Sequence, residues 1–148
     1  MDVLFQRFVF NFLRREQSSY AVRSQRLHWQ FEGTPDHLQR LPYMQTDVVL
    51  RSPTRTIVID TKFYREPFTG RFQRKKIRAH HLYQIRTYMR SLEQNSGEVV
   101  DGMLLYAAAE EEFDLHYYEN SRRTLRVTSL NLNQPWQGVA QALRGLVA

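Results

Sequence analysis

The segment TIVIDTKFY, residues 56–64, combines an apolar β-strand pattern with two opposite charges. Alternate residues of a strand point to the same face, so Asp60 and Lys62 are expected to share one face, about 6.5–7 Å apart. An aspartate and a lysine inside such a strand cost free energy unless they pair, face a cleft or bind a metal ion. The opposite face would carry the apolar side chains of Ile57, Ile59 and Phe63.

The preceding predicted strand, Tyr43–Leu50, carries a second acid, Asp47, thirteen positions before Asp60. The Ser52-Pro53-Thr54 segment is typical of a turn between two strands. Because both acids lie about six positions from this turn, they are expected to meet across the strand pair. Two carboxylates and the backbone carbonyl of Thr61 would form the all-oxygen site that Mg²⁺ prefers.

Lys62 gives this predicted metal site a catalytic interpretation. A lysine there could orient or help deprotonate an attacking water and offset the charge of the transition state. A bound Mg²⁺ or Mn²⁺ would supply Lewis acidity and lower the pKa of its water. An Asp-x-Lys tripeptide alone is common by chance and is better interpreted as an ordinary ion pair. The second acid, Asp47, is what favours the metal site.

A helix predicted over residues 75–94 carries the third group of polar side chains. Gln84 and Tyr88 are four residues apart and therefore lie on one helical face. They could bind a phosphate or hold the water of the metal site. In isolation the same pattern is better interpreted as helix surface and a core tyrosine.

A cluster of basic side chains precedes and enters this helix. The net charge of +6 and the pI of about 9.9 favour a polyanionic partner, although a merely soluble basic protein fits them as well. Adjacent helical residues point about 100° apart, so His80 and His81 cannot form a paired metal site. We interpret both histidines first as surface residues and second as phosphate contacts. The predicted DNA-binding residues are Arg71, Arg74, Lys75, Lys76, Arg78, His80 and His81.

The remaining patterns predict an α/β (α+β mixed) fold, with a central mixed sheet flanked by helices. The 148 residues fit a single domain, 1–148, without internal repeats. There is no cysteine, which excludes disulfides and thiolate metal sites and favours a cytoplasmic protein, and no apolar run is long enough to cross a membrane. Helices are predicted over 3–15, 75–94 and 135–146, strands over 25–31, 43–50, 56–63, 99–107, 113–119 and 125–132, and a connection over 33–40.

Together these segments resemble the PD-(D/E)xK nucleases, and among them the McrC-type nuclease subunits of modified-cytosine restriction systems. The resemblance rests on LFQRFVFNFLRR (4–15), PYMQTDVVLRS (42–52), IVIDTKFY (57–64) and HLYQIRTYM (81–89), and the polar set is also similar to the RecB-like branch. It implies a restriction-endonuclease-like core, Mg²⁺-dependent DNA cleavage and a partner, an AAA+ GTPase motor of the McrB type. Its implied site has Asp47 and Asp60 as ligands, Lys62 as catalytic residue, and Gln84 with Tyr88 in support.

Two departures from the resemblance keep alternatives open. Such nucleases often carry a glutamate on the first helix where this chain has Gln6, so either the site tolerates the change or that helix only braces it. The amino-terminal region with which such subunits meet their partner is expected to be missing, as in a fragment or a short homologue. A non-catalytic nucleic-acid-binding module and an RNA-processing enzyme of the same fold are the alternative functions. No GxxxxGK[ST] motif occurs, so any motor would be another polypeptide.

Overall fold

The computed structural model of the chain describes residues 2–63, 68–69, 76–108 and 111–148. The helices are α1 (Asp2–Glu16), α2 (Pro35–Leu38), α3 (Ala79–Ser96) and α4 (Trp136–Leu146). The strands are β1 (Ala21–Arg23), β2 (Arg26–Leu27), β3 (Met44–Gln45), β4 (Val48–Arg51), β5 (Thr56–Lys62), β6 (Phe68–Thr69), β7 (Lys76–Ile77), β8 (Val100–Ala108), β9 (Asp114–Glu119) and β10 (Arg123–Asn131).

Six of these strands form a mixed sheet in the order β1-β4-β5-β8-β10-β9. The β5, β8 and β10 strands are parallel neighbours, and β1, β4 and β9 are added antiparallel. Parallel neighbours need a crossover, and α3 provides it between β5 and β8. The predicted mixed sheet flanked by helices is confirmed, and it is consistent with a restriction-endonuclease-like core.

The helices divide the core into two layers. Ile57 and Ile59 of β5 pack on one side of the sheet with apolar residues of α1 and α4. Val58 packs on the other side, against Ile85 and neighbouring residues of α3. Because side chains alternate along β5, Asp60 belongs to the same face as Val58. The acid therefore lies under α3.

Three predicted boundaries are wrong. The crossover helix begins at Ala79 rather than at 75, because Arg78 is extended (φ −64°, ψ 126°) and the two residues before it form β7. The strand predicted over 25–31 is confined to β2, and the one predicted over 43–50 is split into β3 and β4 at Thr46. At this break, the Thr46 hydroxyl accepts a hydrogen bond from the Gln25 backbone N–H (2.8 Å).

The other predicted elements are confirmed with shifts of a few residues. Gly97 ends α3 in the left-handed region (φ 74°), as its position after Asn95-Ser96 predicts. The connection over 33–40 contains the single turn of α2, whose start is capped by the Thr34 hydroxyl. No helix in the described part of the chain is both long and apolar enough to span a membrane.

Candidate active site

Asp60 and Lys62 form a nearly buried ion pair near the end of β5. Lys62 Nζ lies 2.8 Å from Asp60 Oδ2, and the two side chains are 14% and 4% exposed respectively. Among the described residues, no hydrogen bond of ordinary geometry satisfies this buried carboxylate oxygen in addition to the ion pair. The predicted placement of both charges on one strand face is confirmed, and Asp60 Oδ2 keeps capacity for a further electropositive contact.

Asp47 comes level with Asp60 because β4 and β5 pair in the register Val48 to Ile59. Its Oδ2 accepts hydrogen bonds from the Thr61 backbone N–H (2.7 Å) and the Thr61 hydroxyl (2.8 Å). The strand pair thus brings the two acids together, as counting from the turn predicts. The carbonyl of Thr61 stays a predicted metal ligand, whereas its N–H and hydroxyl hold Asp47 in place.

The positive charge near Asp47 and Asp60 does not balance the negative charge of the two carboxylates. Burial, followed by the charge of Asp47, raises the pKa of Asp60 to about 6, against the opposing effect of Lys62. Burial also raises the pKa of Asp47, against the hydrogen bonds from Thr61. One lysine therefore does not compensate two buried carboxylates, and a divalent cation between them would favour their ionised forms.

The α3 helix places Gln84 and Tyr88 over this pair. Lys62 Nζ donates to Gln84 Oε1 (2.5 Å), and Gln84 Nε2 donates to the Tyr88 hydroxyl (2.9 Å). The common helical face of Gln84 and Tyr88 is confirmed, and both join one polar chain that starts at Asp60. This chain fixes the amide of Gln84 and, through it, the ammonium group of Lys62.

His81 is fully buried, so its predicted surface position is wrong. Its Nδ1 lies 2.7 Å from the Tyr106 hydroxyl, and burial, followed by the nearby charge of Lys62, lowers its pKa to about 4. A buried neutral imidazole does not serve as a surface contact for phosphate. The spacing of His81 with Ile85 and Tyr88 along the buried stripe of α3 is the sequence signal that was missed. His80 is exposed, as predicted.

Of the remaining predicted DNA-binding residues, only two belong to the described part of the chain. Lys76 is exposed on β7, and Arg78 is half-buried immediately before α3. Their role in DNA binding stays a prediction. Arg71, Arg74 and Lys75 lie outside the described residues.

Gln6 belongs to α1, which packs against the face opposite to α3. Within the described residues, the hydrogen bonds and ion pairs of Asp47, Asp60 and Lys62 do not include Gln6. This placement favours the interpretation that the first helix braces the site.

The described residues contain no group of three or more His, Asp or Glu side chains that could hold a metal ion. A donor set of two carboxylates nevertheless fits Mg²⁺, which is usually bound by one or two carboxylates and keeps several waters. The buried Asp60 Oδ2, which lacks a regular hydrogen bond, is the specific feature that fits a cation here.

Comparison with known proteins shows which family this chain matches. Residues 1–107 match the model of a family described as "McrBC 5-methylcytosine restriction system component". The chain is also similar to the "Type IV methyl-directed restriction enzyme EcoKMcrBC" of Escherichia coli (strain K12), with 31% identity over 144 residues. That alignment covers 97% of this chain and 41% of the relative, so the chain spans about two fifths of the relative's length. Every residue of the polar chain lies inside the matched range.

Proposed function

Because this chain belongs to the family of McrBC 5-methylcytosine restriction system components, we propose that it is the nuclease part of such a system. The reaction would be metal-dependent endonucleolytic hydrolysis of DNA phosphodiester bonds in the cytoplasm. The predicted likeness to McrC-type restriction subunits is confirmed by the family match and the relative. The observation that carries the proposed chemistry is the buried polar chain from Asp60 through Lys62 to Gln84, with Asp47 beside it.

Asp47 and Asp60 would hold the Mg²⁺ or Mn²⁺ ion, with the backbone carbonyl of Thr61 as a third protein ligand. Their raised pKa values support this assignment, because a site that disfavours two bare carboxylates gains from a cation. When bound, the metal would supply Lewis acidity toward the phosphate and lower the pKa of a coordinated water. The hydrogen bonds from Thr61 would keep Asp47 oriented toward its partner acid.

Lys62 would act on the phosphate side of the site. Its ammonium group donates a hydrogen bond to Gln84 Oε1 and forms an ion pair with Asp60 Oδ2. A further N–H can be directed at the attacking water or at the phosphate oxygen that gains charge in the transition state. Gln84 and Tyr88 would be positioning residues, since the Tyr88 hydroxyl holds the amide that holds Lys62.

Replacing Asp60 by alanine tests the proposal. We expect Asp60→Ala to abolish metal-dependent DNA cleavage while the circular dichroism spectrum stays that of the wild type. Asp47→Asn should behave similarly, because a neutral amide weakens Mg²⁺ binding more than it alters shape. Asp36→Asn, at the exposed start of α2, is the matched control. Calorimetric Mg²⁺ titration and single-turnover cleavage are the two measurements. Unimpaired cutting by folded Asp60→Ala would remove the catalytic assignment.

A non-catalytic DNA-binding module is the second candidate, and the glutamine at position 6 favours it, since the resembling nucleases often have a glutamate there. The same assay separates the two. Saturable DNA binding without cleavage in either Mg²⁺ or Mn²⁺, also with a partner present, would support the module. We propose DNA and an AAA+ GTPase motor of the McrB type as the partners of the nuclease.

A further inference from the structure

A second concave site lies between α3 and the segment that follows β2. It has a volume of about 270 Å³, below the roughly 300–1,000 Å³ of pockets for drug-sized ligands. A cavity of this volume can hold one planar ring system. We call it the Trp29 pocket, and it is lined by His28, Trp29, Gln30, Phe31, Met44, Thr87, Arg90, Ser91 and Gln94.

Two exposed aromatic rings form one wall of the Trp29 pocket. The rings of Trp29 and Phe31 are nearly parallel, with an interplanar angle of 16° and centroids 6.3 Å apart. Trp29 is 38% exposed and Phe31 is 64% exposed, and both side chains are uncharged. Parallel aromatic faces open to solvent are the platform on which proteins stack the bases of single-stranded nucleic acids.

The buried residue Ser91 of α3 also lines the pocket. Ser91 is only 6% exposed, and its Oγ has no hydrogen-bond partner among the described residues. A serine in a helix commonly bonds to the carbonyl four residues earlier, as Ser96 does here with Leu92. The unsatisfied Ser91 hydroxyl therefore favours a ligand that brings a donor or an acceptor, as every nucleobase edge does.

The position of Ser91 connects the Trp29 pocket to the polar chain. Gln84 and Ser91 are seven residues apart on α3, which places them on nearly the same helical face, about 10.5 Å apart along the axis. The phosphates of one B-DNA strand follow each other at about 3.4 Å along the helix axis. A strand whose phosphate lies at Lys62 can therefore bring a base a few nucleotides away to Ser91.

The charge of the pocket also suits a nucleic acid. The described lining contains no acidic residue, and Arg90 makes no ion pair with any described acid. An arginine beside aromatic rings can contact phosphate or stack on a base. The chain as a whole carries a net charge of +6.

We infer that the Trp29 pocket binds a single unstacked base of the DNA strand that the proposed site cuts, with stacking on Trp29 and Phe31 and a hydrogen bond to Ser91. This inference rests on the proposed function for its substrate. It adds that the enzyme engages a locally unpaired strand a few nucleotides from the cleaved phosphate. If the pocket does not bind a base, its alternative occupant is a protein segment. The test below distinguishes the two occupants.

The first measurement is binding without cleavage. In a Trp136→Phe background Trp29 is the only tryptophan, so its fluorescence reports on the pocket. We titrate this protein, in EDTA, with single-stranded oligothymidylate and with a duplex of the same length. We expect quenching by the single strand. Trp29→Ala, made in the wild-type chain and followed by fluorescence anisotropy of labelled DNA, should weaken single-strand binding about 5- to 150-fold, with Trp29→Phe largely restoring it.

The salt dependence and a matched variant supply the controls. Trp29→Ala removes no charge, so the slope of log affinity against log salt should stay unchanged. Tyr118→Ala removes a ring on β9 that is even more exposed than Trp29 (73% against 38%), and it should leave single-strand affinity at the wild-type value. Ser91→Ala should weaken binding less than Trp29→Ala and change the preference among homopolymers, because it removes an edge contact and leaves the stacking.

Three results would overturn the inference. The first is wild-type single-strand affinity in folded Trp29→Ala, and the second is no DNA binding at all. The third is weakened binding of a partner protein by Trp29→Ala with DNA affinity unchanged, which would make the pocket a protein-docking site. If Trp29→Ala keeps wild-type affinity and the wild-type chain cleaves DNA, the proposed function is retained and only the inference about the pocket is rejected. Quenching of Trp29 by DNA in a chain that never cleaves, with Mg²⁺ or Mn²⁺, would instead remove the proposed nuclease and keep the pocket.

Discussion

The Lys62 side chain of the proposed active site is held by two contacts. Its ammonium group contacts a carboxylate on its own strand and an amide on the crossover helix, so its position depends on two separate elements. A lysine held at both sides loses little further freedom when a transition state forms. Its contribution to catalysis is therefore expected to be electrostatic and preorganised.

Removing this ammonium group should slow chemistry and spare metal binding. For Lys62→Ala we expect single-turnover cleavage to fall about 10²–10³-fold, the range for single electrostatic groups at transition states. Calorimetric Mg²⁺ affinity at pH 8 should stay the same or increase, because a cation near the ligands is lost. Arg144→Ala, which removes an exposed charge on α4, should retain wild-type turnover. Loss of metal binding with chemistry preserved would show that Lys62 has another role.

The Asp60 carboxyl should make the stability of the metal-free protein fall as pH rises. Its folded pKa is about 6, above the ordinary value of 3.8, so the folded state binds this proton more tightly than the unfolded state. The contribution to stability is complete below about pH 4 and is lost as pH rises through about 6. In EDTA, urea unfolding of wild type and Asp60→Asn should therefore diverge between these values, with wild type losing more stability. Parallel pH profiles would contradict the raised pKa.

At the scale of elements, the packing of α3 on β8 decides whether the site is assembled. A Cβ atom added at Gly102 would lie 2.5 Å from Met89 Sδ and 3.1 Å from Ile85 Cγ1, closer than packed atoms tolerate. The glycine thus lets the helix approach the sheet closely enough for Gln84 to reach Lys62. Any displacement of α3 changes both packing and the polar chain.

Gly102→Ala should consequently destabilise the protein by about 1–3 kcal/mol, the usual cost of overpacking a core. It should also reduce cleavage, because the helix that carries Gln84 moves. Urea unfolding and single-turnover cleavage measure the two effects. Gly145→Ala on α4 is the matched glycine variant, since no atom lies within 4 Å of its added Cβ. It should be neutral or stabilise by up to about 1 kcal/mol. Equal stability of the two variants would disprove close packing at Gly102.

The elements also show which features of the site were predictable from sequence. Alternation and turn residues predicted the pairing of β4 with β5 but not the break at Thr46, and the meeting of Asp47 with Asp60 followed from counting positions. The link from Lys62 to Gln84 did not follow, because it depends on how far along β5 the crossover helix packs. Helical spacing shows a shared face but not what that face touches.

Two other misses have a common physical origin. The sequence predicts His81 first as a surface residue and second as a phosphate contact, whereas Tyr106 on a distant strand gives its ring a buried partner. Trp29 and Phe31 alternate as in a strand, yet β2 ends at Leu27 and both rings stay exposed. Tertiary contacts decided each case, and the sequence pattern alone carries no information about them.

At the scale of the whole molecule, the proposed site by itself would not select among DNA sequences or modifications. The sequence of the chain contains no nucleotide-binding GxxxxGK[ST] motif. It aligns with 41% of a relative whose name describes a methyl-directed restriction enzyme. In the proposed function, the polar chain would act on a phosphodiester, which is the same in modified and unmodified DNA. Selection of modified sites would therefore depend on contacts with further protein.

We accordingly expect the purified chain to be a poor or non-specific nuclease that needs a partner to act on the right DNA. The reason is that, in the proposed function, Asp47, Asp60 and Lys62 would act on a water and a phosphate and, from their position beneath α3, would not reach a base edge. The assay compares methylated and unmethylated duplexes of one sequence, with Mg²⁺, with and without the candidate motor and GTP. The Asp60→Ala chain with motor and GTP is the control, and its inactivity would assign the cutting to this site. Efficient cleavage confined to methylated DNA by the isolated chain would refute the requirement for a partner, because selection and chemistry would then reside in these 148 residues.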